Sequence, residues 1–129
     1  IEALTRGYPP YSDFGFTSLW CWAREGSCAI SQRRNTLVVQ MTDYVTDAPF
    51  LTFLGHDDSL GAVRDLQAFA RVHGFPDALR LVPESAIQAD GRLPRLYDVA
   101  SDPDNDDYLY AARDWADFAG AGFREHVSV

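Results

Sequence analysis

The chain has 129 residues, 47% of them hydrophobic, with a formal net charge of -8. This length and composition predict one folded domain over residues 1–129, with a two-layer core. The basic residues are all arginines, scattered singly apart from Arg33 and Arg34, which disfavours duplex nucleic acid and anionic membrane surfaces as partners.

No apolar run approaches the roughly 20 residues of a membrane-spanning helix, and the first residues lack the order of a signal peptide. We therefore expect a cytoplasmic protein without direct membrane insertion. Because the chain begins at Ile1, we expect that an initiator residue or a tag has been removed or left unresolved. Cys21 and Cys28 fit no zinc-pair spacing, so we expect two reduced, mostly buried thiols, with a disulfide as the alternative.

The N-terminal third predicts a lead-in followed by a helix. Residues 1–11 contain a Pro-Pro step and predict irregular structure. Ser12 or Asp13 is then expected to cap a short helix that ends at Gly26 and lies on a sheet. The residues predicted on the sheet side of this helix are Phe16, Leu19 and Trp20.

The middle of the chain predicts a hairpin, a strand and the strongest helix. Residues 27–31 and 35–41 form the hairpin, with the second strand central, and residues 49–55 form an interior strand. Asp57 to Ser59 introduce a helix that runs to His73 and ends at Gly74. Its apolar stripe is Leu60, Val63, Leu66, Phe69 and Ala70.

Further strands are predicted after this helix. Residues 79–82 form a fourth strand and complete a β-α-β unit, and Pro83 and Glu84 start a short helix. Residues 93–100 predict an edge strand because Pro94 lacks a backbone donor. Residues 108–110 predict a sixth strand, and residues 114–118 a last helix. The expected fold is α/β or α+β, with a mixed, largely antiparallel sheet of five or six strands flanked by helices.

Four stretches in order, at 12–22, 50–55, 73–84 and 104–124, resemble the N-terminal half of a bacterial uncharacterised family. That family is related to the phosphatidylglycerol lysyltransferase C-terminal domain. The resemblance implies a GNAT-like fold of two tandem halves, in which the second half supplies most of the acyl-donor pocket. It also implies acyl-CoA or aminoacyl-tRNA as the donor of a complete member, with no cofactor for the isolated chain.

The resemblance assigns substrate contacts near the end of the chain. Asp107, Tyr108 and Tyr110 match an Asp-Tyr-x-Tyr step, while Gly120, Phe123 and Arg124 match the glycine, aromatic and first arginine of a basic helix start. The lysine-rich positions of the family are here Ala121, Gly122, Glu125 and His126.

The residues themselves leave alternatives open. The acidic run 102–107 is either a calcium loop or a solvated capping turn, and Asp107 and Arg113 stand where an EF-hand needs glycine and glutamate. His56 with its two aspartates is either a general-base site or a helix cap. Glu84 is either a ligand residue at a strand exit or a first-turn helix residue. Tyr108 and Tyr110 either pack in the core or contact substrate.

These observations support three hypotheses. In the first, the chain is the N-terminal, catalytically incomplete half of a lysyltransferase-like acyl or aminoacyl transferase. The second is a non-enzymatic interaction module that homodimerises or pairs with a partner through the seam left by the missing half. The third is a small enzyme that uses Glu84 and the tyrosines. No metal site is expected in any of them.

Overall fold

The computed structural model describes residues 2–22 and 27–107. These residues form a mixed α+β fold in which a three-stranded antiparallel sheet has helices on both faces. The strands are β1 (Ala29–Arg33), β2 (Thr36–Thr42) and β3 (Pro49–Leu54). The helices are α1 (Glu2–Thr5), α2 (Phe16–Trp22), α3 (Ser59–His73), α4 (Glu84–Gln88) and α5 (Leu93–Leu96), with 3₁₀ turns at Ser12–Phe14 and Pro103–Asn105.

The predicted hairpin is confirmed, with its strands shifted by one or two residues. A two-residue turn joins β1 to β2, and Arg34 in that turn adopts a φ of 52°. The order β1-β2-β3 places β2 in the centre of the sheet, as its β-branched and apolar sequence predicts.

Two hydrophobic clusters cover the two faces of the sheet. On one face Leu37, Val39 and Leu54 pack with Phe14 and Leu19. On the other face the core is formed by β3, α3 and the segments after it: Leu51, Phe53, Leu60, Ala62, Val63, Leu66, Ala70, Ala86 and Leu93. The strict alternation along the strands therefore sends neighbouring side chains into different cores.

Helix α3 has the bounds and caps that the sequence predicts. The Asp58 carboxylate accepts a hydrogen bond from the Gly61 amide, and Gly74 ends the helix in the left-handed conformation. Most of the predicted stripe is buried, but Phe69 is 44% exposed and stacks beside His73 and Phe75. The stripe prediction is therefore wrong at Phe69, which lies at the margin of the core.

The predicted fourth strand is wrong. Residues 79–82 run beside the outer edge of β3 and make one backbone hydrogen bond to it, from Arg80 N to Leu51 O at 3.2 Å. Leu81 then takes a φ of 53°, so the segment does not continue as a hydrogen-bonded ladder with β3. The Thr52 hydroxyl donates a hydrogen bond to the Leu81 carbonyl at 3.0 Å. The β-α-β unit is consequently not formed, although the outer edge of β3 is covered.

The predicted fifth strand is also wrong, because Leu93–Leu96 is the helix α5 with Pro94 in its first turn. Proline suits the first turn of a helix as well as the edge of a sheet. The described part of the chain thus has three strands instead of the five or six expected over the whole chain. The sixth strand at 108–110 and the last helix at 114–118 were predicted outside the described residues.

The N-terminal region differs from its prediction in three respects. The lead-in contains α1, and the 3₁₀ turn that precedes α2 has no side-chain cap from Ser12 or Asp13. Leu19 is buried against the sheet, but Phe16 is 54% and Trp20 is 72% exposed. Phe14, from the 3₁₀ turn, is buried in their place. The predicted helix end at Gly26 lies outside the described residues.

Candidate functional site

A cleft of about 450 Å³ opens along the segment between α1 and α2. Half of its ten lining residues are aromatic or proline, namely Tyr8, Pro9, Pro10, Tyr11 and Phe14. A concave surface with apolar walls and a few polar groups is the usual form of a ligand site. We therefore take it as the candidate site of the described residues.

Three long-range contacts hold the cleft segment in place. The Tyr8 hydroxyl donates to Asn35 O at 3.4 Å, and its ring meets the His56 ring edge-on at 5.1 Å. The Tyr11 hydroxyl donates to Ser85 Oγ at 2.9 Å. The cleft is thereby fixed to the hairpin turn, to the loop before α3 and to α4.

A fourth long-range contact involves Asp107, which the sequence predicts as a substrate residue. Its carboxylate accepts a hydrogen bond from the Ser12 amide at 3.1 Å, and Ser12 lines the cleft. Asp107 therefore lies beside the candidate site, where its hydrogen bond holds the segment that forms the cleft.

Asp13 lies near Asp107 and is half-buried. Burial, and secondarily the charge of Asp107, raise the pKa of Asp13 above its usual value. Desolvation and a neighbouring like charge both disfavour a second carboxylate. One margin of the cleft therefore carries two carboxyl groups that repel each other when both are ionised.

Glu84 does not line the cleft. It is exposed in the first turn of α4, and its carboxylate accepts a hydrogen bond from Gln88 Nε2 at 2.7 Å. That i,i+4 pair stabilises the helix. The neighbouring Ser85 makes the contact with the cleft segment through Tyr11.

The remaining predicted substrate residues, Tyr108, Tyr110 and Arg124, lie outside the described residues, as does the glycine-containing step at 120–123. Of the predicted set, only Asp107 and Glu84 are therefore described. The structure reports no contact between those two carboxylates.

The aspartates after His56 serve the start of α3. Asp58 caps the helix and also accepts hydrogen bonds from Arg33 Nη1 and Nη2 at 3.1 Å. These bonds hold the pKa of Asp58 below its usual value, the Arg33 contact being the larger cause. Asp57 accepts a hydrogen bond from Asn35 Nδ2 at 3.0 Å. The helix-cap interpretation is confirmed for Asp58.

A second carboxylate, Asp90, lies at the same helix start and was not predicted from the sequence. Asp90 interacts with the Leu60 amide and binds the Arg92 guanidinium, and these contacts lower its pKa to about 2, with Arg92 the larger cause. The Asp-Gly-Arg sequence at 90–92 is the local pattern that could have indicated this carboxylate–guanidinium pair. Both carboxylates occupy the end of α3 where the helix dipole favours negative charge, so this end of the helix is already neutralised.

Both described cysteines are free thiols, as predicted. The prediction that they are mostly buried is wrong for Cys21, which is exposed near Trp20 on a short helix, while Cys28 is half-buried. Burial raises the pKa of the Cys28 thiol, which lowers its reactivity as a thiolate.

Within residues 2–22 and 27–107, no group of three or more His, Cys, Asp or Glu side chains is arranged to hold a metal ion. In the same ranges, no helix has the length and apolar character required to cross a membrane.

Comparison with known proteins gave no match to a family model, a curated protein or a solved structure.

A second candidate surface is the edge of the sheet at β1, whose outer side pairs with no strand in the part of the chain that the structure describes. Four of its five residues, Ala29 to Gln32, are exposed, whereas every residue of β3 after Pro49 is buried. Phe16 and Trp20 stack on α2 with ring centroids 5.9 Å apart and are both exposed. An open strand edge together with exposed aromatic rings is typical of a surface that binds another polypeptide.

Proposed function

We propose that this chain is the N-terminal, catalytically incomplete half of a lysyltransferase-like acyl or aminoacyl transferase. The observation that carries the proposal is that no strand of the described residues pairs with the outer edge of β1, whereas residues 79–82 run beside the outer edge of β3. A sheet with one uncovered edge can be extended by a strand of another segment. In this proposal the three strands belong to a GNAT-like sheet that a second half completes.

The polar contacts of the described residues support the proposal that the isolated chain is catalytically incomplete. Glu84 bonds to Gln88, Asp107 to the Ser12 amide, and Asp58 to Arg33 and the start of α3. General acid-base catalysis needs a group that can reach the reacting atoms with a suitable pKa. These three carboxylates have structural partners instead.

The cleft would form one wall of the substrate pocket of the complete enzyme. Its apolar rings suit the non-reacting part of a substrate, and Asp107 lies beside it. We assign the substrate contacts to Glu84, Asp107, Tyr108, Tyr110 and Arg124. The donor would be acyl-CoA or aminoacyl-tRNA, held mainly by the second half.

The test is a transfer assay with and without that half. The isolated chain, given acetyl-CoA or a charged tRNA, is expected to show neither tight binding nor turnover. Co-purified with the polypeptide encoded after the Val129 codon, it is expected to gain turnover. Full affinity and turnover by residues 1–129 alone would contradict the proposal, and so would a stop codon directly after that codon.

A second candidate function is a non-enzymatic interaction module that homodimerises through the same surface. The exposed Phe16 and Trp20 rings favour it, because large exposed aromatic groups are enriched at protein interfaces. A mass that remains at 14.4 kDa in light scattering at high concentration would contradict this function.

A further inference from the structure

Among the described residues, the edge strand β1 has few features that protect it from pairing with another strand: its one charged residue, Arg33, stands at its end and is paired with Asp58 and Asp65. Its sequence, AISQR, contains no proline, no lysine and no carboxylate, and it pairs with β2 over all five residues without a bulge. Proteins usually protect an edge with such residues or with a covering segment. In the described residues, the covering segment lies at the other edge, where residues 79–82 run beside β3.

The side chains of β1 divide between the two faces of the sheet. Ile30 lies opposite Val39 in the ladder and Gln32 opposite Leu37, so both lie on the α2 face. Ser31 lies opposite Val38 and therefore on the α3 face. On both faces the outward half of the strand remains accessible.

We infer that two copies of this chain pair antiparallel through β1, about a two-fold axis at Ser31. This inference rests on the proposed docking role of the β1 edge and on the homodimeric second function. In this register Ala29 faces Arg33 of the other copy, Ile30 faces Gln32, and the two Ser31 hydroxyls face each other. A two-fold interface needs such a self-complementary surface.

The charges fit a second copy of the chain. The two Arg33 side chains stand four strand positions apart, about 13 Å along the sheet, which exceeds the screening length of about 8 Å at physiological salt. Each Arg33 is already paired with Asp58 and Asp65 of its own chain. No pair of like charges is therefore opposed along the strand.

The dimer is expected to be weak and salt-dependent. Five residue pairs bury far less surface than the ~1,600 Å² of a standard interface, and Ile30, 42% exposed, is the one large apolar side chain of the strand. Each copy carries a net charge of -8, so overall repulsion opposes pairing. Raising the salt concentration screens that repulsion and should strengthen the dimer.

The experiment is sedimentation equilibrium of residues 1–129 over a wide concentration range, with charge changes at the axis. The wild type is expected to approach twice the 14.4 kDa monomer mass. Ser31→Lys and Ser31→Glu should each weaken self-association about five- to tenfold, because like charges then face each other. An equimolar mixture of the two variants should recover association, since Lys faces Glu in the mixed dimer.

The controls separate this inference from the proposed functions. Ser31 is exposed, so both variants should keep the wild-type circular dichroism and unfolding midpoint. If both variants still dimerise and Trp20→Ser abolishes association, the interaction module stands and pairing through β1 is overturned. A wild type that stays monomeric at all concentrations overturns both the pairing through β1 and the homodimeric module. The transferase proposal is tested separately, by the transfer assay.

Discussion

Asp43 and Arg80 form an ion pair that joins the loop after β2 to the segment beside β3. The Asp43 side chain is 13% exposed, and its second oxygen accepts hydrogen bonds from the Val45 and Thr46 amides at 2.9 Å. The Arg80 guanidinium lies 5.1 Å from the centre of the Phe50 ring. This cluster holds residues 79–82 against the sheet without a regular ladder.

Asp43 should make stability depend on acid pH. The Arg80 contact, with the Val45 and Thr46 amides, holds the pKa of Asp43 well below its usual value. A lowered folded-state pKa stabilises the protein above the ordinary value of about 3.9, and this contribution is lost as the pH falls through the folded-state pKa. Asp43→Asn should therefore lower the free energy of unfolding near neutral pH, with a smaller loss in acid.

Urea denaturation across the acid range measures this difference. Asp47→Asn is the matched control, because Asp47 is an exposed aspartate of the same loop and asparagine tolerates its positive φ. An equal loss for Asp43→Asn at all pH values would show that the carboxylate charge is not the cause.

Gly61→Ala should destabilise the protein even though alanine is the better helix former. A Cβ at position 61 would clash with Asp58 Oδ2 and displace a carboxylate that also binds Arg33. Losing an N-cap costs about 1 kcal/mol, which offsets the gain of up to about 1 kcal/mol from alanine. Because these two effects nearly cancel, the disturbed contact between Arg33 and Asp58 makes the variant less stable than the wild type.

The expected result is a loss of about 1 kcal/mol in thermal or urea unfolding. Gly91→Ala is the control, since a Cβ there meets no atom within 4 Å and should be nearly neutral. A Gly61→Ala variant more stable than the wild type would contradict the described cap.

Asp13→Asn should stabilise the protein near neutral pH. The folded-state pKa of Asp13 is raised by burial and by Asp107, so the ionised carboxylate destabilises the fold above that pKa. The effect disappears as the pH falls below the ordinary aspartate value of about 3.9. The difference in unfolding midpoint between variant and wild type should therefore be positive at about pH 7 and vanish in acid.

Asp104→Asn, which changes an exposed aspartate of the acidic run, controls for the reduced net charge. A decrease in stability for Asp13→Asn would mean that its carboxylate makes a stabilising contact.

Leu19 and Trp20 test which side of α2 faces the sheet. Leu19 is 4% exposed and Trp20 is 72% exposed. Leu19→Ala should cost about 2–5 kcal/mol of unfolding free energy, whereas Trp20→Ala should change it by about 0.5 kcal/mol or less. If the two costs were reversed in chemical denaturation, the described orientation of α2 would be wrong.

The elements that sequence predicted correctly have strong local signals. Helix α3 combines the Asp58 cap, a mostly apolar stripe and Gly74 within one continuous segment. The hairpin likewise has a short polar turn followed by a second strand that is rich in β-branched residues. Such signals need no knowledge of distant residues.

The elements that were predicted wrongly depend on contacts between distant residues, or on residues that suit more than one type of secondary structure. The apolar sequence at 79–82 suits a strand, but the Asp43 contact of Arg80 and the positive φ of Leu81 produce an irregular segment. Pro94 is compatible with both an edge strand and a first helical turn. At the cleft, the Ser12 partner of Asp107 lies 95 residues away in the chain, and no sequence pattern indicates that pair.

Amide hydrogen exchange of β1 tests the central claim, an open sheet edge that docks another chain, most directly. In dilute protein the amides of β1 that do not bond to β2 should exchange rapidly, while those of β2 and β3 are protected. Concentrating the protein, or adding the second half, should slow those β1 amides selectively. Full protection of every β1 amide in the dilute monomer would show that the edge is already covered and would contradict the account.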